Sequence, residues 1–300
     1  MADLGHQVIA ADLDPQSNLT SMFLEDERID EIWPDGSHPS TLFGAIEPIV
    51  NGTGDIRDPH TEEIAPGLSL LPGDVGLSRF EDELSSQWSD CLDRKKRAFR
   101  VISAFYRVIK RATDLRRADI CMIDVGSNLG AITRAALVAS DFVAIPLAPD
   151  LYSLQGLRNL APALLDWRSG WRERLARNPV EDLELPQRNM QPLGYILQQH
   201  TVRKVRPVRA NDKWIDRIPL EYRNSLRLEE DEKTPSVEND PWCLSRIKNY
   251  RSLMPMAMEA QKPMFFLKPA DGAIGAHVQA VQRCYDEFQQ LAETILERIG

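Results

Sequence analysis

Four short apolar runs punctuate the chain: 7–12 (QVIAAD), 119–124 (DICMID), 142–147 (FVAIPL) and 192–197 (PLGYIL). Their near-continuous apolarity, without alternation, marks strands buried on both faces of a parallel sheet. Two weaker strand candidates are 68–71 (LSLL) and 263–267 (PMFFL). Helical patterns fall between the runs, over 76–88, 94–114, 128–139, 151–168 and 273–298. This alternation predicts an α/β fold, a mostly parallel doubly wound sheet with helices on both faces. Residues 24–66 are rich in Pro, Gly, Asp and His and read as a loop-rich excursion with one short helix near 40–50. Residues 221–241 are charged and proline-bounded, the pattern of a mobile surface loop. No linker divides the chain and no repeat is visible, so one domain over 1–300 is expected.

Composition narrows the classes. The 300 residues carry a net charge of −9, which argues against the whole molecule being a polyanion binder while leaving room for a local basic face. No apolar stretch approaches a bilayer span, and the opening MADLGHQ lacks the basic and apolar regions of a signal peptide. Cys91, Cys121, Cys243 and Cys284 are far apart in sequence and form no CxxC pair, which suggests reduced thiols and a cytoplasmic setting. The five histidines show no metal-ligand spacing.

The chemistry gathers at strand ends. In open α/β sheets ligands sit beyond the carboxyl ends of the strands. Run 7–12 leads into Asp12 and Asp14, and run 119–124 ends at Asp124. Carboxylates converging on one edge repel unless a cation or donors lie between them, and Mg²⁺ with its waters and phosphate oxygens meets that need. Asp14-Pro15 and Asp124-Val125-Gly126 equally suit a turn and a helix cap. Both readings stand on these residues alone.

Three stretches taken together tip the balance: GHQVIAADLDPQSNLT, LSLLPGDVGLSRFEDEL and ADICMIDVGSNLGAITRAALVASDFVAIPLAPDLYSLQGL. They resemble the ParA/MinD partition ATPases, the deviant-Walker P-loop family. The first is similar to its G-x-x-V-x-x-x-D-x-D-P-Q-x-x-x-T motif, and the third to its Walker B region. The second resembles its L-x-x-x-P-G/S…L…E-x-x-L segment. The likeness is good over residues 5–160 and looser beyond. It implies ATP and Mg²⁺ as cofactors. Asp14 would orient the attacking water, Asp12 would lie near the metal, and Asp124 would hold a metal-bound water. Gln16 and Thr20 would support the turn, and Gly126 would form a tight switch turn where relatives commonly carry proline. The resemblance further implies a nucleotide-dependent dimer, non-specific DNA, a ParB-like centromere-binding protein, a nucleoid-associated location, and a role in plasmid or chromosome partitioning; no membrane contact is expected, because Asp286, Glu287, Glu293 and Glu297 on the C-terminal helix would be repelled by anionic lipid.

One element of that family is missing from these residues. A P-loop reads G-x-x-x-x-G-K-[ST], with backbone N–H groups and a lysine holding phosphates. The first lysine here is Lys95, and no lysine in the chain follows a glycine. The resemblance places the P-loop strand between 119–124 and 142–147, so the first strand and the P-loop are expected to be missing. Two explanations are open: a start assigned to an internal methionine, or a true loss that leaves a pseudo-ATPase binding module. Unpaired backbone inside a sheet costs about 1–3 kcal/mol per group, which favours the first. Either way, the 300 residues alone are expected to bind nucleotide poorly.

Other stretches are secondary. TVRKVRPVRA (201–210) offers Arg203, Lys204, Arg206 and Arg209 as a DNA-phosphate patch, against a solvated or adenine-side loop. The basic amphipathic segment 93–117, with Phe99, Ile102, Phe105 and Ile109 in a stripe, is expected to cover the sheet; a membrane or DNA surface is the weaker alternative. The C-terminal stripe Val278, Val281, Tyr285, Phe288, Leu291 and Ile295 lies opposite acidic residues and reads as core packing. A cofactor-biosynthesis amide ligase is disfavoured by the D-P-Q motif and by the lack of a second catalytic domain.

Overall fold

The computed structural model describes residues 1–187, 190–200, 213–228 and 236–300. They form two compact units: residues 1–141 with 166–190, and residues 142–165 with 191–300.

The first unit opens with β1 (Val8–Asp12), every residue of which is buried. Short helices α1 (Asn18–Phe23) and α2 (Asp26–Ile32) follow, then α3 (Leu42–Val50). Helix α3 starts at Thr41, whose side chain accepts from the Gly44 amide, a cap worth about 1 kcal/mol. Strands β2 (Glu62–Ala65) and β3 (Leu68–Leu71) form an antiparallel pair. A 3₁₀ turn at Val75–Phe80 leads into α4 (Glu81–Asp90). The expected helix over 94–114 is broken at Ser103 into α5 (Lys96–Ile102) and α6 (Ala104–Arg116). β4 (Ile120–Asp124) and α7 (Ala131–Val138) complete this stretch. The sheet order is β2-β3-β1-β4, with β1 parallel to both β3 and β4. β4 is the terminal strand of this sheet, and Met122 on it is 45% exposed.

The expected stripe of the basic segment is realised, with Phe99, Ile102, Phe105 and Ile109 all buried. Most of its cations are matched by acids, among them Arg97 with Glu83, Arg100 and Arg107 with Asp55, Lys110 with Asp114, and Arg111 with Asp58. That pairing speaks for a covering helix rather than a polyanion surface.

The second unit contains β5 (Phe142–Leu147) and the first part of α8 (Leu151–Leu175), whose last turns belong to the first unit. β6 (Gln191–His200), α9 (Ile218–Leu226), β7 (Cys243–Lys248), α10 (Leu253–Glu259) and α11 (Ala276–Ile299) follow. Its sheet is parallel in the order β5-β6-β7, with β5 terminal.

Several expectations are corrected. The excursion 24–66 holds α2 and β2 besides the anticipated helix. Within 221–241, Tyr222 and Leu226 extend a buried stripe from Ile218, so that part is helix. Segment 263–267 forms only a 3₁₀ turn at Met264–Phe266, after Pro263. β7 escapes sequence reading because only Leu244 and Ile247 of CLSRIK are buried. Along α11, Leu291 and Ile295 are buried, whereas Val278 is exposed.

Candidate functional site

The parallel register sets Asp12 directly beside Asp124, at the carboxyl ends of β1 and β4. The backbone continues this pairing, because the Leu13 amide donates to the Asp124 carbonyl at 2.9 Å. The two strand ends identified from sequence therefore meet on one edge, in one unit.

Asp12 is fully buried and heavily supported. Its Oδ2 accepts from the Thr20 amide at 2.8 Å and the Thr20 hydroxyl at 2.7 Å. Its Oδ1 accepts from the Asp14 amide at 3.2 Å. Burial raises its pKa, and the Thr20 and Asp14 hydrogen bonds oppose that rise. Thr20 Oγ1 in turn accepts from the Gly73 amide at 2.8 Å. A Cβ on Gly73 would come within 2.7 Å of Asp12 Cγ, so this close approach needs glycine. The Trp33 indole donates to the Gly73 carbonyl at 3.2 Å and fixes the same loop.

Asp14 is half-buried, and its Oδ1 accepts from the Gln16 amide at 3.0 Å. The exposed Gln16 contributes its backbone here, and its side-chain oxygen accepts from Asn18. Ser17 begins α1 in the left-handed region, at φ 53°, while fully buried. Such strain persists only where the surroundings enforce it. A Cβ on Gly126 would lie 3.0 Å from Asp14 Oδ1, so the loop after β4 packs closely on that carboxylate. Asp124 itself reaches solvent. Desolvation by neighbouring groups, then the negative charges of Asp12 and Asp14, push its pKa up.

Every residue placed by sequence at the nucleotide edge thus falls in this neighbourhood: Asp12, Asp14, Gln16, Thr20, Asp124 and Gly126. The DNA candidates Arg203, Lys204, Arg206 and Arg209 lie outside the described residues. Sequence reasoning missed Gly73, Ser17 and Trp33. The PGD of LSLLPGD was the available signal for Gly73, since a glycine following a buried strand often marks close backbone approach.

Among the described residues, no group of three His, Cys, Asp or Glu side chains is arranged to hold a metal ion. Both oxygens of the buried Asp12 are occupied by Thr20 and Asp14 donors, while Asp124 keeps its access to solvent. The phosphate half of a nucleotide finds no matching lysine and glycine-rich loop in the sequence.

A model of the AAA_31 family, described as an AAA domain, matches residues 1–176. The chain belongs to this family. Its relatives are partition proteins of the ParA/MinD type, and the chain's α/β architecture is theirs. The sporulation initiation inhibitor protein Soj of Bacillus subtilis is 28% identical over 160 residues, which cover 53% of each protein. The structure of protein DIP2308 from Corynebacterium diphtheriae superposes with a TM-score of 0.63 at 24% identity, over 87% of this chain and 88% of that one. A putative plasmid partition protein from Borrelia burgdorferi, solved with AMPPNP, gives a TM-score of 0.53 at 14% identity over 99% and 88%. The chain spans about half or less of the length of the curated relatives it matches first. Among the described residues, no helix is long and apolar enough to cross a membrane.

Proposed function

We propose that this chain supplies the carboxylate half of a ParA-like ATPase site that serves plasmid or chromosome partitioning. The observation that carries the proposal is the in-register pairing of Asp12 with Asp124, with Asp14 packed on Gly126 beside them. In this reading Asp14 would orient water, and Asp12 and Asp124 would hold a hydrated Mg²⁺, which would supply charge neutralisation for phosphoryl transfer. Nucleotide binding then switches self-association, non-specific DNA binding and contact with a ParB-like partner.

The 300-residue chain should show no saturable MgATP binding in calorimetry at micromolar nucleotide. Fused behind a strand that carries G-x-x-x-x-G-K-[ST], it should hydrolyse ATP, and Asp14→Ala should abolish turnover while Gln16→Ala spares part of it. Tight binding by the unfused chain would refute the half-site reading. Turnover that survives Asp14→Ala would refute the assigned role. A fused protein that folds but never binds nucleotide would favour the pseudo-ATPase alternative.

DNA contact has support besides 203–209. Lys248, Arg251 and Arg283 line one open pocket of the second unit, and Lys248 is paired with Glu287. Arg251 and Arg283 are exposed there and suit phosphate contacts. Charge reversal at both should flatten the salt dependence of DNA binding; an unchanged slope would exclude this face.

A further inference from the structure

Helix α7 begins after Gly130, a residue with no side chain to cap the amides of its buried first turn, which have no partner within the helix. A carboxylate from far upstream in the chain does so. Glu81 Oε1 accepts from the Ala131 amide at 2.5 Å and Oε2 from the Ile132 amide at 2.9 Å. A Cβ on Gly130 would lie 2.6 Å from Glu81 Oε1, so the glycine is what lets this carboxylate in.

Glu81 is continuous with the loop that seals Asp12. It is the first residue of α4, reached from Asp74 through the 3₁₀ turn Val75–Phe80. Asp74 is fully buried and fastened at both oxygens: Oδ1 accepts from the Gly76 amide at 2.6 Å, and Oδ2 from the Thr41 hydroxyl at 2.7 Å. His38 Nδ1 also lies 2.7 Å from that Oδ2. The preceding residue is Gly73, bonded to Thr20 and packed on Asp12. On the other side, the α7 start is joined through residues 127–129 to Gly126, which lies against Asp14. A closed ring results: Asp12, Thr20, Gly73, Asp74, Glu81, the start of α7, Gly126, Asp14.

We propose that Glu81 is a positioning residue for the carboxylate site, holding the loop after β4 against Asp14 by gripping the first turn of α7. The functional importance of this grip rests on the nucleotide-site reading; its mechanics do not. Without Glu81, the 125–130 loop keeps its strand and α7 keeps the Arg134 bond to the Leu84 carbonyl, but the first turn of α7 loses its grip. Gly126 is then free to leave Asp14, and the Asp14–Ser17 turn loses a packing wall. A plain helix cap would act only on the amides it bonds.

Hydrogen exchange on the full chain, with no ligand added, separates the two roles. In Glu81→Ala, amides of 125–132 should exchange about ten-fold faster, those of 13–20 at least about three-fold faster, and those of the second unit at wild-type rates. Glu81→Gln keeps an acceptor oxygen and should give an intermediate pattern at both segments; it carries the comparison if the alanine variant does not fold. Acceleration confined to 131–132, uniform acceleration across the first unit, or wild-type rates would each overturn the proposal. Because the exchange pattern needs no nucleotide, a fused protein without ATP turnover would count against the function and leave this result intact.

Discussion

Removing one hydroxyl tests the core of the site. Thr20 and Asp12 are both fully buried, and Thr20 Oγ1 donates to Asp12 while accepting from the Gly73 amide. Thr20→Val keeps the shape and deletes both bonds. A hydrogen bond to a charged group contributes about 1.5–3 kcal/mol, and a buried amide left without an acceptor costs about 1–3 kcal/mol. The sum, about 2.5–6 kcal/mol, is a large share of the roughly 5–15 kcal/mol that holds a domain together.

The loss should depend on pH. The folded pKa of Asp12 already lies above the ordinary 3.8 because burial disfavours its charge. Its ionisation therefore weakens the fold as pH climbs from about that value through the folded pKa. Deleting the Thr20 donor raises the folded pKa further, so the variant's penalty is full near neutrality and shrinks as pH falls towards 3.8. The part due to the Gly73 amide stays constant. Urea unfolding followed by tryptophan emission reads both parts, since the Trp33 indole is bonded to Gly73. Thr20→Ser should recover most of the loss. A deficit below about 1 kcal/mol, or an equal deficit at pH 4.5 and pH 7.5, would refute the argument that a buried, ionised Asp12 depends on Thr20.

Other changes probe neighbouring claims. Gly73→Ala forces a methyl onto Asp12 and should cost about 1–3 kcal/mol by overpacking; a stability unchanged in urea would mean that the loop gives way. Asp124→Asn removes a charge facing Asp12 and Asp14 and should raise stability at pH 7, though by less than about 1 kcal/mol because solvent screens it. That gain should vanish below pH 4, where the native carboxylate is protonated; a loss of stability at pH 7 would contradict the repulsion. In the second unit, Asp240 is buried with Arg223 at 2.6 Å and the Tyr195 hydroxyl at 2.7 Å. Asp240→Ala should cost about 3–5 kcal/mol and Arg223→Met a comparable amount, since each removes one partner of a buried ion pair; wild-type stability in urea for either variant would contradict this.

The stretches 8–12, 120–124 and 142–147 were legible as strands because each is an unbroken apolar run, a local signal; burial on both faces holds for 8–12 alone, while 120–124 and 142–147 are only partly covered. The carboxylates at two of their ends were legible for the same reason: each interrupts an apolar run. What sequence could not decide was adjacency. Whether Asp12 stands beside Asp124 depends on strand order and register, which arise from pairing between segments over a hundred residues apart. Half-exposed or charged elements such as β2 and β7 gave no local signal, since tertiary packing supplies the burial that pattern alone leaves ambiguous. Glu81 is the sharpest case. In sequence it is one acid among three at a helix start, and only the fold brings α7's bare amides within reach of it.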